Sequence, residues 1–465
     1  MTARRFTMVD QERFAALSGD SNPLHIDPLV ARRSMLGGVA VHGMHLLLWA
    51  LDDLAAQRGL KGFSRLRVHF DRGVLVDETV KVDWHEDEAR LIGRLSGDAG
   101  TLARITLMPA ETSADPWTGD TGITPSACQA HEMPALEGRA GEIELILSTS
   151  WQVMFPHLAV AFPPAHVAVL LASTRLVGMV CPGLHSIYSA LDLTCDPDSA
   201  AANTLRWEVI RADPRVRLVD MAVSAGSLHG LVMTLQRPKP YVQPRLAELR
   251  AAVPRGIFAG QQAIVIGGSR GLGELAAKLL AAGGARVTIT WCRGEAEALA
   301  IVAEAAALGL SVRAARFDVA APTTDIPAPD APYTHMYYFA TPRIPNGRPG
   351  QFQPEVFVKL LDTYVTGLAR CAAWLVPRAQ PAALIWYPST IFLEQPDPNF
   401  AEYAAAKACG EALCAQLAEQ LAPLRLIAER LPRLPTDQTQ SLTPLALSDG
   451  VATLRAALER VANLG

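Results

Sequence analysis

The chain has 465 residues, half of them hydrophobic and 19% charged, and 42 basic residues against 46 acidic ones leave a net charge of −4. That length exceeds a single core and predicts three domains of ordinary size. The balance of charge excludes a basic field for nucleic acid or an anionic membrane surface, and no apolar run reaches the length of a membrane span. Cys128, Cys181, Cys195, Cys292, Cys371, Cys409 and Cys414 form no CxxC pair and no Cys/His cluster, a pattern expected of reduced thiols and of a protein without a metal. The opening MTARRFTMVDQERF lacks the apolar centre of a signal peptide, so a cytoplasmic location is expected.

Taken in order, the first informative stretch is Phe14 to Leu51. Asp20 and His25 stand five apart in a turn that Asn22-Pro23 should fix, followed by a short helical pattern and a long apolar helix opening at His42-Gly43-Met44. A loop-held carboxylate and imidazole can supply the acid and base of an addition or elimination. Gly43 lets a ligand approach the backbone where the first N–H groups of a helix favour developing negative charge. The plain alternative makes Asp20 a turn former and His25 a satisfied loop histidine. The words Ser-Gly-Asp-x-Asn-Pro-Leu-His-x-Asp and His-Gly-Met resemble the MaoC-like (R)-specific enoyl-thioester hydratases. That resemblance implies a hot-dog fold, proton transfer by Asp20 and His25, and a thioester carbonyl polarised by the Gly43 N–H.

Short Val/Leu/Ile-rich segments follow at Leu66–Phe70, Val74–Val76, Val80–Trp84, Arg90–Leu95 and Ala103–Met108, which read as a meander of strands. A catalytic hot-dog unit is therefore expected over residues 1–110, with a Gly/Pro-rich linker at 111–140. Placing Leu176 under Leu36 without gaps matches Gly38 with Gly178, Gly43 with Gly183, His45 with His185 and Leu51 with Leu191. Residues 141–240 are thus expected to be a second, degenerate hot-dog, giving an α+β double hot-dog by duplication. Val160 and Ala165 then replace the acid and the histidine, and Cys181-Pro182-Gly183-Leu184-His185 reads as packing at the start of that unit's central helix. Its expected role is to complete the sheet and line an acyl tunnel.

A proline-punctuated linker at 241–259 leads to a different pattern over 260–465. Strands at Ala263–Ile266, Arg286–Thr290 and Val312–Phe317 alternate with helices at Glu274–Ala282 and about 295–308, the βαβαβ signature of an α/β doubly wound domain. The turn Gly267-Gly268-Ser269-Arg270-Gly271-Leu272-Gly273 would let the backbone approach a pyrophosphate at a helix N-terminus. Tyr403 and Lys407 lie four apart on one helical face, where the ammonium can stabilise a phenolate. Together with Ser389-Thr390 just upstream, this region resembles the short-chain dehydrogenase/reductases, a Rossmann-type family.

The resemblance implies that Tyr403 moves the proton, Lys407 lowers its pKa and holds the ribose, and a hydroxyl steadies the substrate oxygen. Ser389 is favoured for the last role over Thr390. Asp318 matches the family residue beside the adenine, or else caps a turn. Arg270 and Arg293, with no acid at the end of the second strand, favour NADP(H) over NAD(H). Departures are also plain: Phe339-Ala340-Thr341-Pro342 replaces an Asn-Asn-Ala-Gly loop, Tyr364 falls where an Asn belongs, and Ala320–Pro332 is too proline-rich for the usual third helix.

Both halves point to carbon 3 of an acyl thioester, on coenzyme A or acyl carrier protein. The expectation is a bifunctional hydratase–reductase, forming a homo-oligomer through its reductase-like domain, with no nucleic-acid or membrane partner. Two alternatives are a hydratase with an inert reductase-like scaffold and a non-catalytic acyl-thioester binding protein.

Overall fold

The computed structural model describes residues 2–464 except 99, 112–121, 197–200, 322–330, 346 and 348–349. The chain divides into two compact units, Met1–Lys239 with Ser441–Pro444, and Pro240–Gln440 with Leu445–Gly465.

The first unit is built on ten strands: β1 (Thr2–Arg5), β2 (Phe63–Phe70), β3 (Thr79–Asp87), β4 (Arg90–Gly97), β5 (Gly100–Pro109), β6 (Ala140–Glu144), β7 (Ser186–Cys195), β8 (Thr204–Asp213), β9 (Leu218–Ala225) and β10 (Leu228–Gln236). They form one sheet in the order β1-β3-β4-β5-β2-β7-β10-β9-β8-β6. Reading β6–β10 in the place of β1–β5, the order is the same from either edge. The halves meet at β2 and β7, which pair antiparallel from Arg65–Thr194 to His69–Ala190. The strand β2 shows why the sheet has two faces: Leu66 and Val68 are fully buried while Arg65, Arg67 and His69 point to solvent.

Three longer helices carry the rest of this unit: α1 (Met8–Ser18), α2 (Gly43–Gln57) and α3 (Pro164–Arg175). In α2 every residue from Met44 to Leu51 is buried, so this helix is apolar all round rather than striped. In α3 the residues from His166 to Thr174 are likewise buried, and a five-residue π turn, Leu176–Val180, extends it.

Three expectations are corrected here. Val74–Val76 is no strand; Leu75 makes an isolated bridge to Ala40. The gapless offset of 140 fails, because Gly183–Leu191 is a turn and the start of β7, whereas Gly43–Leu51 is α2. The cause is length: 24 residues separate α1 from α2, but only nine separate the short helix Ser150–Met154 from α3, so that interval has no room for a counterpart of the Asp20–His25 loop. Finally, the 111–140 and 241–259 stretches contain packed residues, Leu136 in the first and the helix Leu246–Ala252 with Leu246 and Leu249 buried in the second.

The second unit holds β11 (Gln262–Ile266), β12 (Arg286–Trp291), β13 (Val312–Arg316), β14 (Tyr333–Tyr338), β15 (Ala379–Thr390) and β16 (Arg425–Leu431). All neighbours are parallel, in the order β13-β12-β11-β14-β15-β16. Helices α4 (Gly271–Ala282) and α5 (Glu295–Ala307) connect parallel neighbours β11, β12 and β13, and α6 (Ala401–Gln420) carries the later motif. The strand order reverses between β11 and β14, the place where doubly wound sheets bind ligands. Most of the proline-rich run noted above, residues 322–330, lies outside the described residues.

Candidate active sites

Helix α1 is capped by Gly19, whose φ of +74° ends the helix, and Asp20 just after it is buried at 2% exposure. Asn22 caps the short helix Pro23–Ile26, its side chain accepting from the Leu24 N–H, and its Nδ2 donates to the Gly178 carbonyl at 2.9 Å. His25 follows on that turn. Its Nδ1 lies 2.7 Å from the Ala40 carbonyl, so Nδ1 carries the proton and Nε2 is left as the basic nitrogen.

The Asp20 carboxylate is held from three sides. Thr174 Oγ1 of α3 donates to Oδ2 at 2.7 Å, the Asn22 N–H donates to Oδ1 at 3.3 Å, and His42 Nε2 stands 4.0 Å from Oδ2. Gly178 closes the fourth side, since a Cβ there would lie 2.1 Å from Oδ1. The rings of His25 and His42 stack at 3.8 Å, and ligand-type atoms of Asp20, His25 and His42 all fall within 4.8 Å of one another. His42 is otherwise committed, with Nδ1 3.0 Å from Gln11 Oε1 and Nε2 3.0 Å from the Asp20 carbonyl. Burial raises the Asp20 pKa, against the lowering effects of His25, Thr174 and Asn22. Burial lowers that of His25, partly offset by Asp20 and Ala40 and reinforced by Arg237. Both shifts favour the uncharged pair, a protonated acid beside a free base.

Gly43 begins α2, and the first intrahelical bond there runs from the Leu46 N–H to the His42 carbonyl, so the Gly43 N–H belongs to the unpaired first turn. The Phe70 ring stands where a side chain at position 43 would reach, 3.1 Å from a Cβ. Sequence reasoning missed Thr174 and Gly178, which carry no motif. Cys181 does not follow the expectation of a helix start: it lies in the turn before β7, fully buried, with its thiol pushed up to about 11 by burial.

In the second unit the glycine turn joins β11 to α4. Gly267 has φ +77° and Gly271 φ +60°, and a Cβ on Gly273 would strike the Gly267 carbonyl at 2.2 Å. The Gly267 and Gly268 N–H groups are tied to Thr290 at the end of β12. Ser269 is buried and Leu272 packs on the core under the sheet. Arg270 reaches Asp437 at 3.7 Å, Arg293 is exposed, and Asp318 accepts from the Ala320 N–H at 3.0 Å, the turn-capping geometry.

Tyr403 and Lys407 share one face of α6. The Lys407 Nζ donates to the Pro388 carbonyl at 2.7 Å and lies over the Tyr364 and Tyr387 rings at 4.2 and 4.4 Å. Burial lowers its pKa to about 7. The Tyr403 phenol is pushed up to about 12 by burial, with the Thr390 hydroxyl as the opposing influence.

The Thr390 hydroxyl is the one that acts on the Tyr403 phenol, whereas Ser389 Oγ is buried without a hydrogen-bond partner and its influence falls on Glu411. Successive residues of β15 face opposite sides, and that alternation decides the choice. Phe339 is tucked against Trp386 at 5.6 Å, and Thr341 Oγ1 meets the Tyr364 hydroxyl at 2.6 Å.

Comparison with known proteins finds one family match in each of the two units. Residues 2–103 match the family model described as MaoC like domain, and residues 261–328 match that described as short chain dehydrogenase. The chain thus joins a MaoC-like dehydratase domain at its N-terminus to a short-chain dehydrogenase domain at its C-terminus, an enzyme with both dehydratase-type and reductase-type parts. Asp20, His25 and Gly43 lie inside the first match, whereas Tyr403 and Lys407 lie beyond the second.

No curated protein matches significantly. Among solved structures, a dehydrogenase/reductase from Sinorhizobium meliloti 1021 is 18% identical, covering 46% of this chain and 91% of that one at a TM-score of 0.37. A short chain dehydrogenase from Burkholderia cenocepacia J2315, solved in complex with NADP, is 21% identical over 44% and 91%, at 0.38. At TM-scores this low the fold rests on the strand order. No described helix is long and apolar enough to cross a membrane.

Proposed function

We propose that the first unit reversibly hydrates trans-2-enoyl thioesters to (R)-3-hydroxyacyl thioesters. The observation that carries this is the convergence of the Asp20 carboxyl, raised by burial, with the free Nε2 of His25. In hydration, His25 Nε2 takes a proton from water as the water oxygen bonds to carbon 3. The electron pair moves to the thioester oxygen at the Gly43 N–H, and protonated Asp20 returns a proton to carbon 2. The carrier is coenzyme A or acyl carrier protein. Residues 141–240 are read as a degenerate second hot-dog that completes the sheet and the Asp20 pocket, in a duplicated double hot-dog.

The second unit is read as an NADP-dependent 3-oxoacyl-thioester reductase, making the chain bifunctional. NADP(H) would supply the hydride. The turn from Gly267 to Gly273 fits a pyrophosphate, Tyr403 is protonated and placed beside Thr390 to donate a proton, and Arg293 is exposed for a 2′-phosphate. Tethering would raise the effective concentration of the shared 3-hydroxyacyl intermediate. A cytoplasmic homo-oligomer held through this unit remains part of the reading.

An inert reductase-like scaffold is favoured by one set of contacts: Lys407 is tied to Pro388 and boxed by two tyrosines, and Arg270 faces Asp437. Titrating the protein with NADPH and NADH, then assaying loss of a 2-enoyl-CoA and NADPH-dependent loss of a 3-oxoacyl-CoA, separates the readings. Failure to bind either nucleotide at millimolar concentration removes the reductase, and absence of enoyl hydration removes the hydratase.

A further inference from the structure

Beside the Asp20–His25 loop lies a cation that no described carboxylate neutralises. Arg237, the residue after β10, is 3% exposed. Its backbone N–H donates to the His185 carbonyl at 2.7 Å and its Nη2 donates to the Leu184 carbonyl at 2.8 Å, while Nε is buried without a partner. Among the described residues no carboxylate pairs with it. The group that favours its charge is the Cys128 thiol, itself held neutral by burial with a pKa of about 11. A guanidinium buried in this way loses its hydration without a compensating anion, which is a costly arrangement.

Its position gives that cost a use. Asn22 Nδ2 reaches the same Leu184 carbonyl at 3.3 Å, so the Arg237 and Asn22 side chains are neighbours across one oxygen. Asn22 lies between Asp20 and His25 in the chain, and the Arg237 charge is felt at His25. The guanidinium therefore flanks the reacting end of the site. Phosphates of a coenzyme or carrier lie the length of a pantetheine arm away from the reacting thioester, which leaves the acyl group as the source of an anion here.

We propose that Arg237 binds a carboxylate on the acyl chain, so that the preferred substrates are thioesters of dicarboxylic acids with the free carboxylate a few bonds beyond carbon 3. This rests on the hydratase reading for its chemistry but not for its binding test. The fork of a guanidinium accepts a carboxylate in two parallel N–H···O bonds. Such bonds should favour an acyl chain ending in carboxylate over one ending in methyl by about 10- to 100-fold.

The test uses the full chain and two saturated, unreactive ligands of equal carbon number, glutaryl-CoA and valeryl-CoA, titrated by calorimetry. Glutaryl-CoA should bind at least about tenfold tighter. Arg237→Met should bring the ratio of the two affinities to about one while leaving the melting temperature equal or raised, because an unpaired buried charge is gone. Arg237→Lys, which keeps the charge and loses the fork, should leave an intermediate ratio and serves if the Met variant does not fold.

Equal affinities for the two ligands overturn the proposal, as does a ratio unchanged in both variants. A parallel assay with glutaconyl-CoA and trans-2-pentenoyl-CoA places the effect in catalysis: the Met variant should raise KM for the former. An equal fall in kcat for both substrates would put Arg237 on the shared thioester instead and overturn the assignment. If glutaryl-CoA is preferred but neither enoyl thioester is hydrated, the hydratase reading falls and the carboxylate site stands.

Discussion

The Thr174 hydroxyl donates to the Asp20 carboxylate across 2.7 Å, joining residues 154 positions apart in the chain. Thr174 touches the acid rather than the substrate, so it is a positioning residue, and its bond opposes the burial that raises the Asp20 pKa. Thr174→Val should lower kcat by about tenfold, the worth of one such hydrogen bond. It should also move the Asp20 ionisation in the pH profile of kcat/KM to higher pH, and Thr174→Ser should restore both. A fall in rate with an unmoved profile would assign Thr174 to packing alone.

Asp20→Asn and His25→Ala should each reduce hydration of a 2-enoyl-CoA by about 10²–10⁴-fold. Circular dichroism and melting temperature should stay near those of the parent. Gly178→Ala should fail in the same assay, because its Cβ would displace the carboxylate. A rate unchanged in both dyad variants removes the acid–base assignment.

His45 tests the acid stability of the first unit. The ring is fully buried, stacked on Phe14 at 4.5 Å and edge-on to Phe6, with both nitrogens unpartnered, and burial lowers its pKa to about 3. A histidine whose folded pKa is depressed contributes stability above its unfolded value near 6.5 and loses it as pH falls toward 3. His45→Leu should therefore flatten the loss of stability between about pH 6 and 3, by a few kcal/mol at the acid end. Stability near pH 7 should be unchanged or higher. Parallel acid-unfolding curves for the two proteins would contradict this.

Residues 1–239 expressed alone should fold as a unit, whereas residues 1–125 should aggregate or dimerise. Cutting at 125 strips β7 from β2 and leaves an open edge where Leu66–Leu193 and Val68–Leu191 are paired. Sedimentation distinguishes the outcomes, and a soluble monomer of the short fragment would count against the shared sheet.

If the reductase reading holds, Tyr403→Phe should abolish 3-oxoacyl reduction while sparing nucleotide binding and enoyl hydration. Lys407→Met should also remove reduction. Its melting temperature at pH 7 should not fall far, since Lys407 is a buried amine with a pKa lowered to about 7 and loses little charge pairing. A large loss of stability would make Lys407 a structural cation held by its tyrosines.

The acid–base word and the glycine turn were legible because each is contiguous: local chemistry and local geometry sit in the same dozen residues. What completes them was not. Thr174 and Gly178 are ordinary residues of a buried helix and its π extension, and their meaning comes from packing alone. The edge strands β1 and β6, TARR and AGEIE, carry no apolar alternation because they are largely exposed. Ser389 and Thr390 could not be told apart because the strand before them, from Ala383, is buried on both faces and offers no phase. The offset of 140 misled because small residues recur by chance where the second half has a shorter interval before its long helix.

The pairing of β2 with β7 within one chain has a consequence for mass action. A pocket whose acid came from one subunit and whose hydroxyl came from another would empty as the protein was diluted, and its specific activity would fall with it. Here Asp20 and Thr174 are bound by the same backbone. Turnover per molecule in the proposed hydratase should stay constant from micromolar down to trace concentrations, whatever assembly the second unit adopts.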